Sequence, residues 1–189
     1  MRILVLDNYD SFTYNLVHLL KALGHTPDVA RNDKITVAAV ENYDKILLSP
    51  GPGLPTEAGI MPQLLQKYSA TKSIFGVCLG HQAIGEAFGG SLTNLSEVFH
   101  GVATPTTIVD KEETLFNKIP NQIETCRYHS WIVNSYDLPD CLQITAIDEF
   151  GNIMALRHKA YDVRGVQFHP ESYITEYGKQ MIMNWLGAD

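Results

Sequence analysis

The sequence predicts an α/β fold: one domain over residues 1–189, built on an open, mostly parallel but mixed sheet with helices on both faces. Three observations carry this reading. Arg2-Ile3-Leu4-Val5-Leu6 is a continuous apolar run with no alternation, as a parallel strand buried on both faces requires. Runs of this kind then trade places with helical spacing at the pace of βαβ units. The chain has 189 residues, 45% of them hydrophobic, which fits one domain with a substantial core.

The elements follow in order. After the first strand, Asp7-Asn8-Tyr9-Asp10-Ser11 is rich in helix-capping residue types, and Asp10 and Ser11 read as caps. Phe12, Leu16, Leu19, Leu20 and Leu23 recur at helical spacing until Gly24 ends the helix. A second strand around Asp28–Arg31, a short helix near Val37–Asn42 and a third strand Lys45–Leu48 continue the alternation. Ser49-Pro50-Gly51-Pro52-Gly53-Leu54-Pro55 holds three prolines and two glycines, so it is neither helix nor central strand but a rigid, shaped loop. It leaves the carboxyl end of a parallel strand, the edge where open α/β sheets place ligands.

A helix near Ile60–Tyr68 leads to the strand Ser73–Val77. Gly76-Val77-Cys78-Leu79-Gly80 then turns sharply into a helix that Gly89-Gly90 stops, which puts a cysteine on a nucleophile-elbow pattern. A helix N-terminus supplies free N–H groups and partial positive charge, which favour a thiolate. A buried structural cysteine between glycines is the plainer reading of the same five residues.

The second half is richer in strands. Val98–Val109 and Gln122–Arg127 read as extended, with a short helical Thr114–Ile119 between them. Cys141–Ile147 and Ile153–His158 flank a hairpin loop at Asp148–Asn152, and Val163–Phe168 is a last strand. Ile174, Tyr177, Met181, Ile182 and Trp185 repeat as one face of a closing helix. These later strands read as antiparallel additions to the same sheet.

Composition excludes several classes. The apolar start ends at Asp7, too short for a signal peptide or membrane span. Three cysteines form no disulfide framework, and a net charge of −7 argues against nucleic acid or an anionic membrane as partner. A cytoplasmic protein is expected.

Seven histidines compete for the role of base to Cys78. His81 lies on the same helix as Cys78 and points along it, whereas His129 is a candidate for lining a pocket. His169 stands apart, because in an extended segment it projects on the same side as Glu171, with Pro170 stiffening the link. A carboxylate beside an imidazole fixes its tautomer and stabilises the imidazolium.

Taken together, Asp7–Phe12, Ser49–Gly53, Gly76–Gln82, Arg127–Ser130 and Gly165–Ser172 resemble class I glutamine amidotransferases. More narrowly they resemble the glutaminase subunits of anthranilate synthase and aminodeoxychorismate synthase. The resemblance runs in order from the first strand to the last helix, and it implies a flavodoxin-like sheet. It also implies hydrolysis of L-glutamine by a triad of Cys78, His169 and Glu171, through a thioester on Cys78. The oxyanion would meet the backbone N–H groups of Leu79 and of the Pro-Gly loop at Gly53, donors that contribute on the order of 3 kcal/mol each. By the same resemblance Gly51, Pro52, Gly53, Gln82, Ser130 and Trp131 would hold the substrate. The family commonly has leucine where this chain has Trp131, a change tolerable if that contact is made by backbone. No cofactor or metal is expected on this chain. Ammonia would pass to a chorismate-using synthase subunit in a hetero-oligomer, with magnesium on that partner.

Other readings stay open on the sequence. The ammonia could serve the folate branch, or both branches through a shared subunit. A stand-alone thiol hydrolase fits the same scaffold, and Cys78-x-x-His81 with Cys126-x-x-His129 could form a zinc module on paper.

Overall fold

In the computed structural model, which describes residues 1–187, the apolar runs pair into one nine-stranded sheet. The first half supplies β1 (Ile3–Asp7), α1 (Thr13–Ala22), β2 (Asp28–Arg31), β3 (Lys45–Leu48), α2 (Met61–Tyr68), β4 (Ser73–Val77) and α3 (Leu79–Ala87). The second half supplies β5 (Leu92–Ile108), β6 (Gln122–Val133), β7 (Leu142–Asp148), β8 (Ile153–His158), β9 (Val163–Val166) and α4 (Gly178–Leu186). The spatial order is β2-β1-β3-β4-β9-β8-β7-β5-β6. The first five are mutually parallel and the rest antiparallel, so the mixed sheet read from the sequence is present.

The lack of alternation in β1, β3 and β4 has the expected cause: both faces are covered. Ile3, Val5, Leu47, Phe75 and Val77 pack on one side with Leu16 and Leu20 of α1 and Ile182 and Trp185 of α4. Leu4, Leu6, Ile46, Leu48 and Ile74 pack on the other with Leu64 and Leu65 of α2 and Ile84 of α3. Odd and even residues of one strand thus serve opposite layers.

Three local expectations are corrected. Ser11 caps nothing: α1 starts after Phe12 with no side-chain cap. The capping work falls to Asp10, whose Oδ1 accepts from Phe12 N–H, and to Asp7, whose Oδ1 accepts from Tyr9 N–H and the Thr13 hydroxyl. The closing helix begins at Gly178, because Tyr177 has φ of 59° and Ile174 lies in the turn before it. β5 is longer than the apolar pattern indicated, running 17 residues through register breaks at Asn94/Phe99 and His100/Val102.

β9 enters the sheet beside β4, pairing in parallel from Ile74 against Val163 to Val77 against Val166. The carboxyl ends of both strands therefore open at the same edge, although the residues are far apart in sequence.

Candidate active site

Cys78 follows β4 directly, with φ of 51° and ψ of −100°, outside the regions that L-residues favour. The turn is possible because of its glycines. A Cβ on Gly76 would lie 2.5 Å from the Gly80 carbonyl, and one on Gly80 would lie 2.6 Å from the Leu48 carbonyl. The first turn of α3 is thereby pressed against β4 and β3. Cys78 N–H donates to the Val166 carbonyl at 2.9 Å, which ties the nucleophile's backbone to β9. Leu79 N–H opens α3, where the first donors have no acceptor within the helix.

His169 leaves β9 at the same edge, its N–H donating to the Cys126 carbonyl on β6 at 2.9 Å. Its Nδ1 lies 2.6 Å from Glu171 Oε1, and both side chains are buried. The imidazole edge is held by Phe12 and Tyr128, with ring centroids at 5.5 and 5.1 Å. Burial opposes a charge on this ring, yet Cys78 and Glu171 on either side overcome that and push its pKa up to about 10. Nε2 has no hydrogen-bond partner among the described residues, so it is available to the thiol proton.

In front of Cys78 is a cavity of about 330 Å³ whose walls include Gly51, Gly53, Gln82, Ser130 and Trp131. The Pro-Gly wall is braced from β1. Asn8 N–H donates to Ser49 Oγ at 2.8 Å, and Asn8 Nδ2 donates to the Ser49 carbonyl at 2.8 Å. Gly51 sits between Asn8 and Leu79 so tightly that a Cβ would come within 2.6 Å of the Asn8 carbonyl and 2.8 Å of Leu79 Cδ2. Gly53 has φ of 73°, which the left-handed freedom of glycine permits.

Not every residue singled out from the sequence faces this cavity. Pro52 lines a separate hollow with Asn8, Asn32 and Glu57, and the Leu79 side chain is buried beneath the floor. Glu171 lies behind His169 with its side chain buried, and the residue borders a second hollow with Phe12 and Tyr173. Leu54, Tyr128 and His129 line the main cavity, of which only His129 was a sequence candidate.

Sequence reasoning also missed Gln167, whose side chain is fully buried with Nε2 at 3.6 Å from Cys78 Sγ. The available signal was a glutamine between Val166 and Phe168, two residues before His169 and so on its side of an extended chain. Among the described residues no group of three or more His, Cys, Asp and Glu side chains converges on a metal position. None of the described helices is long and apolar enough to cross a membrane.

Known proteins are similar to this chain in sequence and in fold. The family model for glutamine amidotransferase class-I matches residues 4–188. Anthranilate synthase component 2 of Pseudomonas putida is 43% identical over 196 residues, covering 98% of this chain and 96% of that one. Aminodeoxychorismate synthase component 2 of Escherichia coli strain K12 is 44% identical over 186 residues, covering 97% of this chain and 98% of that one. Among solved structures, a candidate GMP synthase subunit from Thermoplasma acidophilum superposes with a TM-score of 0.88 at 26% identity, over 99% of this chain and 92% of that one. An elbow cysteine, a buried His-x-Glu at the adjoining strand end and a match over nearly the whole length agree, and the chain belongs to the class-I glutamine amidotransferases.

Proposed function

We propose that this chain is the glutaminase subunit of a chorismate-using synthase, anthranilate synthase in the first instance, and works in the cytoplasm. The observation that carries the reading is Cys78 in the wall of a cavity bounded by the Pro-Gly loop and Ser130–Trp131, with the buried His169–Glu171 pair beside it.

The chemistry follows from the groups present. His169 takes the Cys78 proton, and a raised imidazole pKa of about 10 suits a thiolate–imidazolium pair. The thiolate attacks the side-chain carboxamide carbon of L-glutamine, and negative charge collects on the carbonyl oxygen. The N–H groups of Leu79 and Gly53 receive that charge. As the C–N bond breaks, His169 returns its proton to the leaving nitrogen and ammonia departs, leaving a thioester on Cys78. Water, deprotonated by His169, then releases glutamate and restores the thiol. Glu171 stabilises the imidazolium in both halves of the cycle. Gly51, Gln82 and the backbone at Ser130 and Trp131 bind the substrate. Ammonia passes to the synthase partner, which carries the magnesium.

The second reading is the equivalent subunit of aminodeoxychorismate synthase, favoured by the Escherichia coli relative that matches as well as the anthranilate ones. The test is to capture the tagged chain from its native host and give the complex glutamine, chorismate and magnesium. The product identifies the branch, and Cys78→Ala should abolish it with glutamine while leaving it intact with free ammonia. Glutamine hydrolysis with no synthase captured and no aminated chorismate formed would instead make the chain a stand-alone thiol hydrolase.

A further inference from the structure

Behind the cavity lies a continuous hydrogen-bonded chain whose direction follows from its fixed end. Arg127, 1% exposed, donates Nη1 to Asp148 Oδ2 at 2.9 Å and Nε to His129 Nε2 at 3.0 Å. A guanidinium has only donors, so His129 Nε2 is bare and the proton of the neutral ring is on Nδ1. Nδ1 lies 3.0 Å from the Trp131 carbonyl oxygen, which can only accept. That same oxygen lies 2.8 Å from the Gln82 amide, so the NH2 end of Gln82 must face it. The Gln82 NH2 also reaches Gln167 Oε1 at 3.2 Å. With its oxygen so engaged, Gln167 has only its NH2 to present to Cys78 Sγ, at 3.6 Å.

We infer that Gln167 is a further catalytic residue, whose Nε2–H donates to the Cys78 sulfur and stabilises the thiolate, while Gln82, His129 and Arg127 are positioning residues that fix the sense of that donor. This rests on Cys78 being the nucleophile. Sulfur accepts weakly as a thiol and far more strongly as a thiolate, so a fixed donor beside it favours the ionised form. Gln167 is fully buried, and a buried amide needs partners at both ends: Gln82 serves its oxygen and Cys78 its nitrogen. On another side of the sulfur lie acceptors, the Tyr128 carbonyl oxygen at 3.9 Å and His169, which takes the proton. Donor and acceptor thus approach the sulfur from different groups, and loss of the proton leaves the Gln167 bond in place and strengthened. Burial and the Arg127 charge hold His129 down to about 3, so the relay keeps its direction across the working pH range.

The test reads the sulfur directly, without glutamine. The full chain and its Gln167→Met variant are alkylated with iodoacetamide across a pH series, and modification of the Cys78 peptide is followed by mass spectrometry. A hydrogen bond to a charged group predicts that Gln167→Met moves the alkylation midpoint of Cys78 up by about one pH unit, a roughly tenfold slower reaction below both midpoints. Cys141 serves as the reference whose profile does not move. Gln82→Met, which keeps the Gln167 amide but frees its orientation, should shift the midpoint the same way by less, and it decides the matter if Gln167→Met does not fold. A folded variant whose midpoint stays within about 0.3 unit of the parent overturns the inference. Failure of the underlying reading shows elsewhere, as a Cys78→Ala complex that still uses glutamine.

Discussion

Glu171→Gln removes one negative charge from the site with almost no change in shape. Glu171 Oε1 lies 2.6 Å from His169 Nδ1, and the two side chains are 0% and 2% exposed, so water screens them little. With charge centres about 4 Å apart and an effective permittivity of about 20, the imidazolium is attracted by about 4 kcal/mol. The glutamine oxygen still accepts from Nδ1 and retains about 1 kcal/mol. The net loss of about 3 kcal/mol, at 1.4 kcal/mol per decade, predicts a kcat lower by about 100-fold. KM for glutamine should hold, because the Glu171 side chain is buried behind His169 and does not line the substrate cavity. His169 should also give up its proton at lower pH, since one of the two groups that raise its pKa is gone. The alkaline limb of the pH–rate profile moves down accordingly. The assay is glutamate release by the complex with its synthase, with protein stability checked by urea unfolding. A loss below about threefold, or one confined to KM, would refute the orienting and charge-stabilising role of Glu171.

Three further outcomes follow from the same geometry. Cys78→Gly should be more stable than Cys78→Ala by about 1 kcal/mol, because only glycine relaxes at φ of 51°; equal urea midpoints would show that no strain is stored there. His81 and His129 are buried and held neutral, with pKa values lowered to about 4 and about 3, so below pH 6.5 the unfolded chain binds protons that the folded chain refuses. Stability should therefore fall as pH drops from 6.5 towards 4, by up to about 2.7 kcal/mol per unit where both contribute, and a flat profile in urea titrations would contradict this. Asp148→Ala strips the partner from a guanidinium buried to 1% exposure and opens the β7–β8 turn, where Asp148 Oδ1 accepts from Phe150 and Asn152 N–H. Calorimetry should show a loss of about 3–5 kcal/mol, whereas a loss under about 1 kcal/mol would mean that the pair holds nothing together.

How much of this was legible depended on whether a signal was local. The parallel strands could be read because burial on both faces leaves an unbroken apolar run, and β1, β3 and β4 are such runs. The first part of β5 could not, because most of Leu92–Gly101 is exposed or half-exposed and two register breaks interrupt its alternation. Tyr177 kept the apolar spacing of a helix while its backbone is left-handed, since spacing reports which face is covered and not where hydrogen bonding begins. In the site, Cys78, His169 and Glu171 were visible because each lies in a short motif with its own chemical logic. Gln167 and Tyr128 were not, because what they do depends on which strand ends meet.

That meeting decides the chemistry more than any loop does. The backbone of Cys78 is bonded to β9 through Val166, and that of His169 is bonded to β6 through Cys126. The first anchor extends the β4–β9 pairing, and the second is a single bond to β6, which is not a neighbour of β9 in the sheet. The cavity walls are made differently: the Pro-Gly loop is braced by Asn8, and the opposite wall hangs from the Trp131 carbonyl, which takes bonds from both Gln82 and His129. The fold therefore separates two jobs. Reactivity is set by the paired ends of β4 and β9, and substrate fit is set by two walls that are each fastened by a few side-chain bonds. Substitutions at the walls should act first through KM, and those that disturb the β4–β9 pairing through kcat.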